Sequence, residues 1–512
     1  MQAILGIDIG TSGVKALLIT DQGEVLTTAS EEYELLTPRP NWAEQDPETW
    51  WQAIIKTVRR CLNEKPGLPV AAIGLTGQMH GTVFLDKRGS VLRPTILWCD
   101  QRTGQQCLEI TRIIGAENLI RLTGNRALTG FTAPKILWLR ENEPQIYKQV
   151  RMILLPKDYI RYRLTSVFAT EVSDASGTLL FNVAARDWSD EMIKALGLEK
   201  SVLPACYESP QISGYLNREA ANLLGLKEGT PVAGGGGDQA AGAVGNGVVS
   251  AGLASCVLGT SGVLFWHSDE ALYDPAGRLH TFCHAVPGKW HLMAVTLAAG
   301  GSLRWFRDTL APDILKEAKE TGKDPYELIT KEAECVAPGS EGLLFLPYLA
   351  GERTPYADPN ARGAFIGLSL RHNRRHLARA VLEGITMSIR DCFELGQECG
   401  LETGSVFISG GGARSKFWNQ MVADLLGREI LLPAADEGPA YGAAIIAGSG
   451  AGLLGPVEEA SAAFRKISAR YSPNPELKSL YDELYTLYKQ LYGNLRGFYD
   501  ESAAFVSKYT NS

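Results

Sequence analysis

The stretch ILGIDIGTSGVKALLIT, residues 4–20, contains the pentapeptide Gly-Thr-Ser-Gly-Val at Gly10–Val14, and the same pentapeptide returns at Gly259–Val263. Each copy stands between two apolar, strand-like flanks, which are Ile4–Ile9 with Val14–Thr20 and Ser255–Leu258 with Val263–Trp266. An apolar run, a glycine-bounded turn and a second apolar run predict a β-hairpin. Because the copies lie about half a chain apart, the pattern predicts two related halves that each open with a hairpin.

The length and the alternation of elements fit this division. A chain of 512 residues exceeds what one hydrophobic core holds, which is about 250–300 residues. From the apolar strand Val70–Leu75 onward, strand-like and helical patterns alternate, which favours an α/β architecture. We expect domains at 1–248 and 249–512, with the boundary in the Gly- and Ser-bearing stretch Asn246–Gly252. Two related domains that face each other would create a central cleft for ligands.

The two turns have the composition of phosphate-binding turns. Glycines permit conformations that other residues resist, so a Gly-Thr-Ser-Gly turn can present successive backbone N–H groups to an anion. We therefore expect Thr11 and Ser12 in the first turn, and Gly259 and Thr260 in the second, to contact phosphates. The alternative is that each is only a tight hairpin turn. Asp8, just ahead of the first turn, would suit Mg²⁺ directly or through water, or would bond to turn N–H groups as a structural residue.

A run of four glycines marks a second candidate. Gly234–Gly237 precede Asp238 in the sequence PVAGGGGDQAAGAVGNG, residues 231–247. Such a run is entropically costly and lets another group approach the backbone closely. Asp238 would act as a general base on a hydroxyl that attacks the γ-phosphorus of ATP, because a loose phosphoryl-transfer transition state requires only modest activation. The alternative is an N-cap for the helix Gln239–Val244.

Composition excludes several classes of function. A net charge of −7 argues against nucleic acid as the main partner. Nine scattered cysteines without a CxxC pair predict a reducing compartment, and the N-terminus lacks the basic start of a signal peptide, so we expect a cytoplasmic protein. The uncharged stretch Gln239–Trp266 is too rich in polar residues and glycine for a membrane span. The Gly450–Gly455 match to GxGxxG is interpreted as a loop, because it follows a helical pattern.

Four motifs resemble the FGGY family of carbohydrate kinases, in the family's order and across essentially the whole chain. They are IDIGTSGVK at Ile7–Lys15, GGGGDQAAGAVG at Gly234–Gly245, YLAGERTPYADPNARGAFIGLS at Tyr348–Ser369 and SGGGARSKFWNQ at Ser409–Gln420. The resemblance implies two ribonuclease-H-like domains of the actin and hexokinase type, ATP and Mg²⁺ as cofactors, and a homodimer. It also implies Asp238 as the catalytic base and Asp8 as the carboxylate associated with the metal.

Other stretches are similar to the branch of this family that phosphorylates D-xylulose. They are GQMHG at Gly77–Gly81, NWAEQDPETWW at Asn41–Trp51, LWCDQRT at Leu97–Thr103 and TEVSDASGTLLFN at Thr170–Asn182. By that resemblance Met79, His80 and Gln239 bind the ketose. The adenosine-binding stretch is matched by Gly411, Gly412, Lys416 and Asn419, with EGPAYGAA at Glu437–Ala444 closing the pocket. A kinase for L-xylulose, ribulose, L-fuculose or a polyol, or an ATP-hydrolysing switch of the actin-like fold, remains an alternative.

Overall fold

The computed structural model describes residues 2–434 and 438–510, and all structural statements refer to these. The strands are β1 Ala3–Ile9, β2 Gly13–Ile19, β3 Val25–Glu32, β4 Glu44–Gln45, β5 Val70–Gly77, β6 Val83–Leu85, β7 Thr95–Ile96, β8 Met152–Leu154, β9 Ala169–Glu171, β10 Phe181–Asn182, β11 Asp187–Trp188, β12 Ala205–Tyr207, β13 Ile212–Tyr215, β14 Pro231–Ala233, β15 Gly236–Gly237, β16 Gly252–Leu258, β17 Gly262–Ser268, β18 His280–Cys283, β19 Trp290–Thr296, β20 Leu344–Leu346, β21 Ala364–Ile366, β22 Thr403–Ser409, β23 Glu429–Pro433 and β24 Ile467–Tyr471.

The α-helices are α1 Pro47–Glu64, α2 Gly104–Ile114, α3 Ala116–Thr123, α4 Thr132–Asn142, α5 Pro144–Tyr147, α6 Pro156–Thr165, α7 Val172–Ala175, α8 Asp190–Ala195, α9 Arg218–Leu224, α10 Asp238–Asn246, α11 Gly300–Leu310, α12 Pro312–Thr321, α13 Pro325–Glu334, α14 Arg374–Glu398, α15 Lys416–Leu426, α16 Gly438–Gly450, α17 Val457–Phe464 and α18 Lys478–Thr510. Helix α1 begins as predicted, with Pro47 as its first residue and the Asp46 carboxylate accepting the Glu48 N–H at 2.9 Å.

The chain divides into two compact units that are not continuous in sequence. Unit 1 takes in residues 2–250, 267–292 and 438–465, and unit 2 takes in 251–266, 293–434 and 466–510. The first change of unit, after Ser250, lies beside the predicted boundary at 248/249. The single boundary at 248/249 does not describe the whole division, because residues 267–292 and 438–465 follow it in the sequence but belong to unit 1.

Unit 1 is built on a sheet with the order β13-β14-β5-β1-β2-β3. Strand β1 pairs antiparallel with β2 and parallel with β5. Helix α16 packs so closely on this sheet that side chains are excluded: a Cβ added to Gly6 would lie 2.0 Å from the Ala440 carbonyl oxygen, and one on Gly74 would lie 1.9 Å from that of Ala443. These glycines fix the depth at which β1 and β5 sit under the helix.

Unit 2 repeats this arrangement. Its sheet has the order β19-β17-β16-β22-β23-β24, and β16 pairs antiparallel with β17 and parallel with β22. Both predicted hairpins, β1–β2 and β16–β17, are therefore confirmed, and each supplies two neighbouring interior strands of its sheet. Five tyrosines of α18 are buried; they are Tyr481, Tyr485, Tyr488, Tyr492 and Tyr499. Within the described residues no helix is long and apolar enough to cross a membrane.

Candidate active site

Two carboxylates meet at the carboxyl end of β5 in unit 1. Asp8 of β1 stands opposite Thr76 of β5, and β15, which ends one residue before Asp238, pairs Gly237 with Gly77 of the same strand. Parallel neighbours on both sides of β5 thus deliver the two aspartates to one edge of the sheet. Both side chains are half-buried. The position agrees with the general tendency of α/β sheets to place ligands outside the carboxyl ends of parallel strands.

Burial makes both carboxylates reluctant to ionise, and the charge of Asp238 adds to this effect at Asp8. Burial and, to a smaller extent, the charge of Asp238 raise the pKa of Asp8 to about 7, while Lys15, its antiparallel neighbour on β2, opposes the change. Burial also raises the pKa of Asp238 to about 6, against hydrogen bonds from the Gln239 backbone and side chain. The Oδ1 atom of Asp8 is buried and has no hydrogen-bond partner among the described residues. The site therefore favours a cation.

Asp238 does not cap helix α10, so that alternative is wrong. Gly237 occupies the N-cap position with extended φ and ψ of −57° and 152°, and Asp238 is the first helical residue. Its carboxylate accepts the N–H of the following Gln239 at 2.8 Å. The glycine run is used for close approach, as predicted: a Cβ on Gly235 would lie 2.0 Å from the Leu75 carbonyl oxygen.

The Met79–His80 loop follows β5 and lies against the same region. His80 has a left-handed φ of 67°, which is uncommon for a residue with a side chain. Its Nδ1 lies 2.7 Å from the Gly177 carbonyl oxygen and its ring meets the edge of Phe131 with 4.7 Å between centroids. Met79 is buried, and a Cβ on Gly237 would lie 2.9 Å from its Cγ. The loop that is predicted to bind the ketose thus touches the residue that precedes Asp238.

A wholly buried lysine holds the backbone of this loop, and sequence reasoning missed it. Lys135 of α4 donates from Nζ to the carbonyl oxygens of His80 at 2.8 Å and Gly130 at 2.6 Å. Burial lowers the pKa of Lys135 to about 7, while Asp100 opposes this. The available signal was a single charge inside the apolar run TAPKILWL, residues 132–139. Such a lysine must find acceptors inside the core.

The first hairpin turn has its threonine engaged and its serine exposed. The Thr11 hydroxyl donates to Gln78 Oε1 at 3.0 Å and accepts from Trp98 Nε1 at 2.9 Å. Ser12 is exposed at the tip of the turn. The expected reason for the glycines is wrong, because none of those that bound either turn has a left-handed φ. Gly13 is required by packing instead, since its Cβ would lie 2.7 Å from the Glu31 carbonyl oxygen on β3.

In unit 2 the turn of the second hairpin lies beside the glycine run Gly410–Gly412. The N–H groups of Gly300 and Gly301 at the start of α11 donate to the Gly259 and Thr260 carbonyls at 2.8 and 3.0 Å. A Cβ on Gly410 would lie 2.8 Å from the carbonyl oxygen of Leu258, immediately before this turn. Unit 2 thus places the phosphate contacts predicted in the second turn beside the segment that carries the predicted adenosine contacts.

The predicted adenosine contacts differ in exposure. Gly411 and Lys416 are exposed, Gly412 is half-buried, and Asn419 is wholly buried. The Asn419 amide donates to the Ala413 carbonyl at 2.8 Å, so this buried side chain stabilises the backbone that follows Gly412. Glu437, the start of the predicted closing segment, lies outside the described residues.

Two family models match most of the chain. The model of the FGGY family of carbohydrate kinases, N-terminal domain, matches residues 3–245, and the C-terminal domain of the same family matches residues 254–451. The xylulose kinase of Escherichia coli strain K12 is 42% identical over 494 residues, which cover 94% of this chain and 99% of that protein. That of Bacillus subtilis strain 168 is 39% identical, covering 96% of this chain and 97% of that protein.

Solved structures agree with the sequence relatives. The xylulose kinase from Rhodospirillum rubrum superposes with a TM-score of 0.91 at 31% identity, covering 98% of this chain and all of that one. A ligand-bound xylulose kinase from Lactobacillus acidophilus gives 0.92 at 26% identity, with 98% of this chain and 100% of that one covered. The predicted α/β fold with two sheet-containing domains of the actin and hexokinase type is confirmed.

Proposed function

The chain belongs to the FGGY family of carbohydrate kinases, and we propose that it transfers the γ-phosphoryl group of ATP to the terminal hydroxyl of D-xylulose, giving D-xylulose 5-phosphate and ADP. One observation carries the chemistry: Asp8 and Asp238 stand together at the carboxyl end of β5, beside the Met79–His80 loop. Full-length relatives at about 40% identity that are named xylulose kinases support the choice of sugar.

Asp238 is the general base of this proposal. Its carboxylate accepts the proton of the C5 hydroxyl while the hydroxyl oxygen forms a bond to the γ-phosphorus and the bond to the β,γ-bridging oxygen breaks. The proton remains on Asp238 until it passes to solvent after the products leave. A pKa of about 6 leaves the group ionised near neutral pH and makes it a stronger base than an ordinary aspartate. Phosphoryl transfer requires little more than positioning and charge stabilisation around this step.

The carboxylates fit Mg²⁺, which travels with ATP. Asp8 has a buried Oδ1 without a partner, and the negative charge of Asp238 raises its pKa, so a divalent cation would relieve both. The described residues hold no cluster of three or more metal-binding side chains. A larger cluster is not required, because Mg²⁺ in kinases usually binds one or two carboxylates and completes its coordination shell with waters and phosphates. When bound, the ion would neutralise phosphate charge.

The remaining site residues divide between sugar and nucleotide. Met79, His80 and Gln239 bind the ketose. The nucleotide contacts are Thr11, Ser12, Gly259, Thr260, Gly411, Gly412, Lys416 and Asn419. Thr11 contributes through its backbone, because its hydroxyl is already used by Gln78 and Trp98. Asn419 contributes through the Ala413 carbonyl that it holds.

The cellular setting is part of the same proposal. The nine free cysteines agree with a reducing compartment. We place the enzyme there as a homodimer. Sedimentation or light scattering at working concentration tests the dimer, and a monomeric mass would overturn it.

A coupled ADP-release assay over pentuloses, hexuloses and polyols with saturating MgATP tests the function. The expected result is a kcat/KM for D-xylulose at least about tenfold above that for any other sugar, which corresponds to about 1.4 kcal/mol of transition-state preference. A different best sugar would replace the substrate and leave the roles of Asp8 and Asp238 standing. ADP release that no sugar stimulates would favour the ATP-hydrolysing switch.

A further inference from the structure

One short segment contacts both the base-bearing turn and the ketose loop. It runs from Glu171 at the end of β9 through α7 and the 3₁₀ turn Ser176–Thr178. Every residue of it is buried. None of its side chains has a role in the proposed chemistry, although the segment lies inside the stretch Thr170–Asn182. We call it the 171–178 segment.

The first contact fixes the residue before the base. Ser173 Oγ accepts the N–H of Gly237 at 3.0 Å and donates to Glu171 Oε1 at 2.9 Å. Because Glu171 takes the hydroxyl proton, the oxygen lone pairs are left to face the Gly237 N–H. On its other side Gly237 is pressed against Met79, with no room for a Cβ. The peptide that carries Asp238 is therefore held between a hydrogen bond and a packing contact.

The second contact fixes the histidine. The Gly177 carbonyl oxygen lies 2.7 Å from His80 Nδ1, so it accepts the ring proton there. A Cβ on Gly177 would lie 2.4 Å from Nδ1 and 3.3 Å from Met79 Cε. The absence of a side chain at 177 thus allows the imidazole to sit directly on the segment, at one ring orientation.

A buried group of charges holds the segment itself. Glu171 accepts the N–H groups of Ser173 and Asp174, each at 2.8 Å. Lys157 of α6 lies 3.3 Å from Glu171 and 3.2 Å from Asp174. Since all these groups are withdrawn from water, moving the segment would break several charge-assisted bonds at once. It is a rigid support for the two loops.

We propose that Ser173 and Gly177 are positioning residues of the transferase reaction, Ser173 setting the place of the base through the Gly237 N–H and Gly177 setting the orientation of His80. This inference rests on the proposed function. The two contacts lie four residues apart on one support, but they serve different steps. Loss of the first should lower kcat, and loss of the second should raise KM for the ketose.

The test compares Ser173→Ala and Gly177→Ala with wild type and with the control Ser176→Ala. Ser176 is equally buried and its hydroxyl also accepts one remote N–H, that of Cys283 at 3.0 Å, but not that of Gly237. Steady-state kinetics with D-xylulose and MgATP are measured beside thermal melting. A displacement of about 1 Å at the reacting group costs about a hundredfold in rate, so Ser173→Ala should lose about ten- to hundredfold in kcat with KM within about threefold.

Gly177→Ala should raise the ketose KM at least about tenfold, since the methyl group displaces the imidazole, and leave the KM for MgATP unchanged. Ser176→Ala should melt like Ser173→Ala and keep kcat within about twofold. Equal kcat losses in Ser173→Ala and Ser176→Ala, or an unchanged kcat in Ser173→Ala, would overturn the positioning role. If Ser173→Ala does not fold, Ser173→Cys, a weaker acceptor, should lower kcat relative to Ser176→Ala, and an unchanged kcat would overturn the positioning role. A wild type without sugar-stimulated ADP release would overturn the proposed function instead.

Discussion

Lowering the pH from 8 to 5 should protonate Asp238, so that it no longer acts as a general base. The pKa of Asp238 is raised from 3.8 to about 6, so its reactive carboxylate is present above that pH and is lost as the pH falls through it. The ionised fraction falls from about 0.99 at pH 8 to about 0.09 at pH 5, which predicts about an elevenfold loss of kcat/KM for the ketose. An aspartate with the usual pKa would lose only about 6% over the same range.

The assay is ADP release against pH at saturating Mg²⁺, because protonation of Asp8 below about pH 7 would compete with the metal. At saturation the acid limb should have unit slope and a midpoint near 6. At low Mg²⁺ the limb should steepen as the second carboxylate adds its proton. Melting curves at pH 5 control for unfolding. A kcat/KM that stays flat to pH 5 in folded protein would refute the raised pKa of Asp238.

Three substitutions extend the argument. Asp238→Ala should lower kcat about 10²- to 10⁴-fold and spare ATP affinity, and a matching loss of nucleotide binding in titration would make Asp238 structural. Asp8→Asn should weaken Mg²⁺-dependent turnover yet raise the melting temperature of the ligand-free protein at pH 8, because a pKa raised from 3.8 to about 7 on folding means that the ionised carboxylate destabilises the folded state, with the full effect above about pH 7; a lower melting temperature contradicts this. Lys135→Met should raise the ketose KM about tenfold, since the His80 and Gly130 carbonyls lose their shared donor; an unchanged KM would show that the loop is held otherwise.

The hairpins and the two aspartates could be predicted because their signals are local. A charge inside an apolar strand marks Asp8, and four glycines mark Asp238, with every relevant residue within a few positions. The reason for the hairpin glycines was not local. Gly13 must lack a side chain because β3 passes close to it, and the sequence of the turn does not indicate that a strand lies there.

The supports of the site could not be predicted, because their partners are distant in sequence. Lys135 reaches His80 across 55 residues, and Ser173 reaches Gly237 across 64. A buried polar group in a sequence shows that a partner must exist but not which one it is. The same limit applies to α16, since an apolar helix must be buried somewhere, and only the bare backbones of Gly6 and Gly74 show where.

The pair of carboxylates argues against a structural purpose for Asp8. A structural aspartate in this strand would accept turn N–H groups, yet the N–H of Gly10 goes to the Gly13 carbonyl and Asp8 Oδ1 has no partner among the described residues. A buried acceptor without a donor is unfavourable, and a second carboxylate nearby makes it worse. The fold nevertheless delivers both from strands that flank β5. A cation would make such an arrangement favourable, and in the proposed function the Mg²⁺ that accompanies ATP would be that cation.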